Sequence, residues 1–241
     1  MKKHNTISGF FLICILLSFN AHAFRLEPMM ANFTPDGDGA TKIFRIENEA
    51  KETIAVKIQA FTRQIDDKGK ETKVESKDFK IYPDQISLAG SDSRAIRVLY
   101  IGPKTLEQES AYRIVATQLP VAFKEDVKKT GIKFLFQFVA SVYVTSDKFF
   151  PKIEVESITR MDKDNLKIKI INKGQKHALL KNVKVEVKDN NGKVLVLGNN
   201  IIKDWDAENI LSGSRRTFKV KSLMNFDIDK NKPKIEIKDE I

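Results

Sequence analysis

The chain is poor in the residue types that carry most enzyme and metal chemistry. Among its 241 residues it has one cysteine, Cys14, and three histidines. Cys14, His4 and His22 lie in an N-terminal segment with the features of a signal peptide, so His177 is the only histidine beyond it. The rest of the chain therefore offers no thiol nucleophile, no disulfide and no pair of imidazoles for zinc or copper.

Motifs for nucleotide and acyl chemistry are absent as well. The sequence has no phosphate loop, no dinucleotide fingerprint and no Gly-x-Ser-x-Gly nucleophile elbow. Its closely spaced carboxylates, Asp66 with Asp67 and Asp204 with Asp206, lie beside lysine, glycine or Trp205, which is typical of solvated loops rather than of a glycosidase pair. We therefore predict a protein that is not an enzyme and that needs no cofactor or metal.

The N-terminus has the three parts of a secretory signal peptide. Lys2 and Lys3 give it a basic start, a largely apolar run extends from Ile7 to Phe19, and Ala21-His22-Ala23 supplies the small-x-small cleavage pattern. The apolar run is shorter than the roughly 20 residues that a membrane span requires. We therefore expect export by the Sec pathway with cleavage after Ala23 and no stable membrane insertion afterwards; an uncleaved anchor is the alternative.

Basic residues outnumber acidic ones, and the formal net charge of the whole chain is +10. Without Lys2 and Lys3 the charge is +8, because the first 23 residues contain no other charged side chain. In an exported protein this charge fits acidic protein partners, carboxylates or a membrane surface. Lysines also alternate with apolar and acidic residues, as in Lys181–Lys188, which is typical of a solvated strand face. We predict no nucleic-acid partner.

Apolar and polar residues alternate in many short segments of the chain. Such alternation places one face in a core and the other in water, which is typical of half-buried antiparallel strands. No stretch has a convincing helical period, so the sequence predicts an all-β fold. The clearest alternating segments are residues 42–47, 55–61, 167–171, 183–187 and 234–238.

Turn sequences separate these strands and divide them into two sets. Asp66–Gly69 and Asn190–Gly192 are examples of such turns. A boundary is expected near Ser146–Lys148, where a long apolar strand ends. Each set has the length of an immunoglobulin-like β-sandwich, about 100 residues. We therefore predict two such domains in tandem, over residues 24–147 and 148–241, after a signal peptide over residues 1–23.

The segment Gly131–Val144 departs from simple alternation because both of its faces carry apolar residues. A central strand that is covered on both sides has this pattern. The alternative is a strand with one apolar row left open for a partner, since phenylalanines at alternate positions would form a binding surface if exposed. The row on one face consists of Ile132, Phe134, Phe136, Phe138, Ala140 and Val142.

Several segments occur in an order that resembles the periplasmic chaperones of the chaperone–usher pathway. The resemblance is greatest to the archaic branch, in which a Tyr-Arg-(Ile/Leu) strand leading to Gln-Leu-Pro-Val precedes the donor strand. Its first-domain segments are Phe79–Pro83, Ile86–Leu88, Ser93–Tyr100, Glu109–Ile114 and Gln118–Val121. Its second-domain segments are Asn172–Gly174 with His177-Ala178, and Ile210–Arg216.

The resemblance implies a periplasmic chaperone with two sandwiches in a boomerang-like arrangement. Its partners would be pilus subunits with incomplete immunoglobulin-like folds, which lack their last strand, and an outer-membrane usher that receives them. The last strand of the chaperone's first domain would fill the subunit groove with alternating apolar side chains, a form of strand addition. On this resemblance the inserted row is Ile132, Phe134, Phe136, Phe138 and Ala140.

One feature of the family has no obvious counterpart in this sequence. Better-known members hold the terminal carboxylate of the subunit with an arginine on the first strand and a lysine on the donor strand. The matching positions are Met30 and Ser141, and neither is a cation. Either the positions do not correspond, or other residues serve. The candidates for the carboxylate anchor are Arg113, Arg97 and Lys133, because a guanidinium fork or an ammonium pairs with a carboxylate.

Two other classes of secreted protein remain as alternatives. A two-domain adhesion or carbohydrate-binding module would bind through loop aromatics such as Trp205 instead of a strand. A structural fibre subunit would self-assemble and would usually carry an N-terminal donor extension. Phe24 leads quickly into strand-like sequence, which argues against such an extension.

Overall fold

The structure is a computed structural model that describes residues 24–120, 134–162, 165–180, 183–188, 194–197, 208–221 and 234–237. Apart from a 3-10 turn at Asp38–Ala40, the regular structure in these ranges consists of β-strands. The predicted all-β class is therefore confirmed. In the same ranges no helix is long and apolar enough to cross a bilayer.

The first sheet of the N-terminal domain has four antiparallel strands in the order β1-β3-β8-β6. Alternation along β3 buries Phe44, Ile46 and Asn48 on one face and leaves Ile43 and Arg45 exposed on the other, as a half-buried strand requires. The strands are β1 (Phe24–Glu27), β3 (Thr41–Asn48), β6 (Phe79–Tyr82) and β8 (Ser93–Tyr100).

The second sheet of this domain has the order β2-β10-β9-β4-β5, and β7 also pairs with β4. All of its pairs are antiparallel except β10 with β2, which are parallel. The strands are β2 (Met30–Phe33), β4 (Ile54–Ile65), β5 (Glu71–Glu75), β7 (Gln85–Leu88), β9 (Ser110–Leu119) and β10 (Gln137–Val144).

The two sheets enclose one core with an aromatic centre. Phe79 contacts Phe33, Tyr100 and Tyr112 edge-on, with ring centroids 5.0–5.3 Å apart, the arrangement that aromatic quadrupoles favour. The Tyr112 hydroxyl donates to Asp78 Oδ2 at 2.8 Å, so its polar end is satisfied inside the core. Burial and this hydrogen bond raise the pKa of Tyr112 well above its usual range.

The C-terminal domain has a second, smaller core between short sheets. One sheet has the order β11-β12-β17, a second pairs β13 with β16, and a third has the order β15-β14-β18. Leu166, Ile168 and Ile170 of β12 are fully buried at alternate positions. The strands are β11 (Ile153–Arg160), β12 (Asn165–Asn172), β13 (Ala178–Leu179), β14 (Val183–Lys188), β15 (Val194–Leu197), β16 (Asn209–Ile210), β17 (Arg215–Lys221) and β18 (Lys234–Ile237).

Among the described residues, the two sets of strands are joined after β10 and linked by backbone hydrogen bonds at two further places. The chain turns after Val144, where Phe149 N–H donates to Ser146 O. The segment before β9 contacts the second domain through the Glu109 N–H, which donates to Gln175 O at 2.8 Å. The turn between β4 and β5 makes the other contact, in which Thr217 N–H donates to Asp67 O at 2.7 Å. The exact domain bounds, 24–147 and 148–241, stay a prediction.

Candidate functional site

The two halves of β10 have different neighbours. The C-terminal half, Ser141–Val144, pairs with β2 on one edge and β9 on the other. The N-terminal half, Gln137–Ala140, pairs with β9 alone, and no described strand pairs with its other edge. On that edge the Ser141 N–H donates to Met29 O at 2.9 Å. Because backbone groups alternate in direction along a strand, Val139 directs its N–H and C=O toward the open edge.

The predicted donor row differs in exposure from one end to the other. Phe134 is 74% exposed, whereas Ala140 is fully buried. Phe136 and Phe138 lie between these extremes and pack against the N-terminal core. The Phe138 ring meets Phe24 edge-on, with centroids 4.8 Å apart. The open part of the apolar row therefore lies at its N-terminal end, next to the open edge of β10.

Two predicted site residues lie outside the described part of the chain, namely Ile132 and Lys133. The described residues before β10, Phe134–Phe136, are not in a strand, so β10 begins later than the alternating pattern indicates. They still follow β9, because Gln118 N–H donates to Phe136 O at 3.0 Å.

Met30, Ser141 and Arg113 form one row across the second sheet. Ser141 is in register with Met30 on β2 and with Arg113 on β9. In-register residues of neighbouring strands lie on the same face, and this face is the one opposite the core. Arg113 Nη1 donates to Ser141 Oγ. An arginine on β9 therefore lies in the same row as Met30 and Ser141, the two positions that the resemblance matches to the family's anchoring cations.

Arg113 is half of a bidentate ion pair with Glu71, the first residue of β5. Its Nε and Nη2 donate to Glu71 Oε1 and Oε2 at 2.9 and 2.6 Å. A second arginine, Arg63 on β4, donates from Nε to Glu71 Oε2 at 2.9 Å. Desolvation raises the pKa of the Glu71 carboxyl, but hydrogen bonds from Arg113 and Arg63 outweigh it and lower that pKa to about 2. The cluster of Arg63, Glu71 and Arg113 therefore holds two positive charges and one negative charge.

Tyr143 connects this cluster to the second domain. Its hydroxyl accepts hydrogen bonds from Arg63 Nη1 at 3.1 Å and from Asn209 Nδ2 at 2.5 Å. Its ring stacks on His177, with centroids 3.9 Å apart and an interplanar angle of 11°. His177 in turn contacts Glu109 Oε1 through Nδ1 at 2.6 Å. The face of the second sheet that carries Arg63 and Arg113 thus borders the second domain.

A cleft of about 560 Å³ opens beside these contacts. Its walls come from the end of β4, from residues 108–112 around the start of β9, and from the Leu211–Ser214 turn of the second domain. Polar groups dominate the walls, and they include Arg63 and Glu109. Among the described residues no group of three or more histidine, cysteine, aspartate or glutamate side chains is placed to hold a metal ion.

Arg97, the second anchor candidate, lies elsewhere. It belongs to β8 in the first sheet, in register with Ile43 on β3 and Tyr82 on β6. All three side chains are on the exposed face, and Ile43 and Tyr82 are 55% and 75% exposed. The structure therefore places Arg113, but not Arg97, beside Ser141 and in the same row as Met30.

The sequence did not single out Arg63 or Glu71. The two residues are eight positions apart, and a lone arginine or glutamate in a strand gives no signal of its own. The predicted turn at Asp66–Gly69 was the only indication, because it implies that the strands on either side pair and bring their same-face residues together. The turn is present, and the Asp66 carboxylate accepts from Lys68 and Lys70 N–H within it.

The sequence of the N-terminal domain matches a known family. The model of the pili and flagellar-assembly chaperone, PapD N-terminal domain, matches residues 33–144. The matched range begins at the end of β2 and ends with β10, so it includes the open edge and the cluster of Arg63, Glu71 and Arg113. A search of curated proteins finds no match to the sequence.

Solved structures of similar fold cover most of the chain. A chain of the CsuC–CsuE chaperone–tip adhesion subunit complex, from the archaic chaperone–usher Csu pili of Acinetobacter baumannii, has a TM-score of 0.61 at 14% identity, covering 88% of this chain and 97% of that chain. The class 5 fimbriae chaperone CfaA has a TM-score of 0.56 at 16% identity, with 90% and 100% covered. The SafA pilin–SafB chaperone complex of Salmonella enterica has 0.54 at 11%, with 90% and 96% covered.

These likenesses extend over both domains, so the predicted pair of immunoglobulin-like sandwiches is confirmed. The resemblance to pilus chaperones is confirmed by the family model and includes a solved structure from an archaic pathway. Residues 33–144 of this chain are therefore similar to the N-terminal domain of pili and flagellar-assembly chaperones, which are chaperones and not a class of enzymes.

Proposed function

We propose that the protein is a periplasmic chaperone that binds incomplete immunoglobulin-like pilus subunits by donor-strand complementation and passes them to an outer-membrane usher. The observation that carries this proposal is the open edge of Gln137–Ala140 in β10. Next to it lies an apolar row whose first described member, Phe134, is 74% exposed. An unpaired strand edge beside exposed aromatic residues is suited to the addition of a strand from another chain.

Strand addition would use both features. The N–H and C=O groups on the open edge would form the backbone ladder, and the apolar row would enter the subunit groove at alternate positions. Full burial of one such side chain contributes roughly 1.5–3 kcal/mol. We propose Ile132, Phe134, Phe136, Phe138 and Ala140 as this row. Phe136 and Phe138 already contact the chaperone's own core, so Phe134 is the described member with most surface to bury.

Arg113 is the proposed anchor for the terminal carboxylate of the subunit. It lies beside Ser141 and in register with Met30, at the end of the open edge. A guanidinium can bind a carboxylate through two parallel N–H···O bonds, which also fixes the direction of the bound chain. Arg97 is in the other sheet, and Lys133 stays a weaker candidate. No cofactor or nucleotide is needed for this function.

Capture of a subunit tests the donor-strand step. The protein would be expressed in the periplasm with secreted pilus subunits, as wild type, as Phe134→Asp, and as the matched control Phe150→Asp. Phe150 is 70% exposed and precedes β11, outside the proposed site. We expect wild type and Phe150→Asp to form a one-to-one complex and Phe134→Asp to lose most of it, because a carboxylate cannot enter an apolar pocket without a large desolvation cost.

Two outcomes of the capture experiment would contradict the proposed function. If folded Phe134→Asp captures the same subunit as well as wild type does, the apolar row is not the binding surface. If wild type captures no subunit, the chaperone function is wrong. Transfer is tested separately, by adding membranes that contain the usher to the purified complex and measuring the subunit released from the chaperone.

A further inference from the structure

We infer that Arg63 is a second cation of the subunit-carboxylate site, one that attracts the carboxylate without touching it. The inference rests on the proposed function. Arg63 acts as a positioning and charge-supplying residue, because its Nε binds Glu71 and its Nη1 binds the Tyr143 hydroxyl. Arg113 remains the residue that would contact the ligand.

The charge balance of the cluster is the first argument. The bidentate bond to Glu71 neutralises Arg113, so the pair of Arg113 and Glu71 alone would carry no net charge to attract an anion. Arg63 restores one positive charge to the cluster. One carboxylate from a partner would then balance the site. A partly buried cluster with one uncompensated cation is therefore suited to a single anionic group.

The geometry of Arg113 is the second argument. Glu71 occupies the Nε and Nη2 side of the guanidinium, while Nη1 points to Ser141 Oγ. Of the five N–H donors of an arginine, these contacts use three. The unused donors are one each on Nη1 and Nη2. A ligand that arrives beside Ser141 and Met30 meets this side and need not displace Glu71, which holds the guanidinium in place.

The burial of Arg63 is the third argument, because it increases the distance over which the charge of this residue acts. Its side chain is 8% exposed and that of Arg113 is 15% exposed. Charges that are partly buried are screened by salt much less than charges in water, so a neighbouring cation is felt beyond contact distance. Lys73 lies directly across from Arg63 on β5 but is exposed. The two residues carry the same charge in nearly the same place and differ in burial, so Lys73 provides a matched control.

The test uses a synthetic peptide of alternating valine and threonine in two forms, one ending in a free α-carboxylate and one ending in an amide. Affinities of both forms are measured for wild type, Arg63→Gln, Arg63→Lys, Lys73→Gln and Arg113→Gln. The ratio of acid to amide affinity reports on the carboxylate site alone, because both forms offer the same strand. A variant that merely loosens the fold lowers both affinities together.

We expect wild type to prefer the acid form about tenfold or more. Arg63→Gln should lower this ratio only about threefold, in line with the loss of one unit charge that acts on the ligand without contact in a partly buried site. Arg63→Lys should restore most of the ratio, since it keeps the charge, and Lys73→Gln should leave it nearly unchanged. Arg113→Gln should abolish the preference. A ratio in Arg63→Gln equal to that of wild type overturns the inference.

The Glu71 carboxyl provides a second measurement in the wild-type protein. Its pKa, about 2 in the free chain, can be followed by NMR with and without the acid peptide. We expect it to stay low, because both arginines remain bonded to Glu71 when the ligand is present. A rise toward its ordinary value of 4.5 would show that the ligand replaces Glu71, and that would overturn the inference.

Failure of this inference can be distinguished from failure of the proposed function. If wild type binds the acid form no better than the amide, or binds neither, while it still captures subunits through Phe134, the carboxylate site with both Arg113 and Arg63 is wrong and the donor-strand function stands. If wild type captures no subunit, the proposed function is wrong and the inference falls with it.

Discussion

Arg113 and Arg97 are both arginines within antiparallel strands of the N-terminal domain, but they have different surroundings. Arg113 lies on the face of the second sheet that borders the interdomain cleft, with its side chain 15% exposed and paired to Glu71. Arg97 lies on the outer face of the first sheet, between Ile43 and Tyr82. Both residues fit the same sequence pattern, and the difference shows that a neighbouring sheet or domain determines what a strand arginine can do.

The largest expected difference between Arg113 and Arg97 is the free energy of unfolding that is lost when each arginine is replaced. Arg113→Gln removes a charged partner that makes two hydrogen bonds to Glu71, and hydrogen bonds to charged groups contribute about 1.5–3 kcal/mol each. We expect the free energy of unfolding to fall by about 2 kcal/mol, since Arg63 still holds Glu71. Urea titration at pH 7 measures this change. A loss below about 0.5 kcal/mol would place Arg113 in the same class as a surface arginine.

The second-largest expected effect is a loss of stability in acid, caused by the ion pairs that Glu71 makes with Arg113 and Arg63. The pKa of Glu71 is lowered to about 2 from an ordinary value of 4.5, so its ion pairs stabilise the folded state above about pH 4.5. This stabilisation is lost as the pH falls from 4.5 toward 2. Glu71→Gln lacks the contribution at every pH. We therefore expect wild type to exceed Glu71→Gln in stability at pH 6 and the gap to narrow between pH 4.5 and 2.

The measurement is thermal unfolding of both proteins across that pH range. Glu47→Gln is a suitable control, because Glu47 is an exposed partner of Arg25 and surface ion pairs contribute little. A gap between wild type and Glu71→Gln that stays constant with pH would contradict the assignment of the low pKa to Glu71.

The smallest effect is expected for Arg97→Gln. Its side chain is exposed and lies in the sheet that does not contain β10. Surface substitutions usually change stability by less than about 0.5 kcal/mol, so urea titration should hardly distinguish this variant from wild type. Subunit capture should also be unchanged. Loss of capture in Arg97→Gln with capture retained in Arg113→Gln would reverse the comparison and make Arg97 the anchor.

The class of fold can be predicted from the sequence alone. Its period of two and its turn residues predict half-buried strands, and the alternating segments at 42–47, 55–61 and 167–171 all lie in strands of the structure. These predictions succeed because alternation is a local property of each strand. The order of segments from Phe79 to Arg216 also indicates a resemblance to pilus chaperones, which the match over residues 33–144 confirms.

The open edge of β10 and the arginine beside it become visible only in the folded chain. The apolar faces of β10 are compatible with either a fully covered central strand or a binding strand. In the structure each half of β10 fits one of these, because Ser141–Val144 is paired on both edges and Gln137–Ala140 on one edge. The pairing of Arg63 and Arg113 with one carboxylate depends on the register of three strands, β4, β5 and β9. Such register comes from long-range packing, and for that reason no local pattern in the sequence contains it.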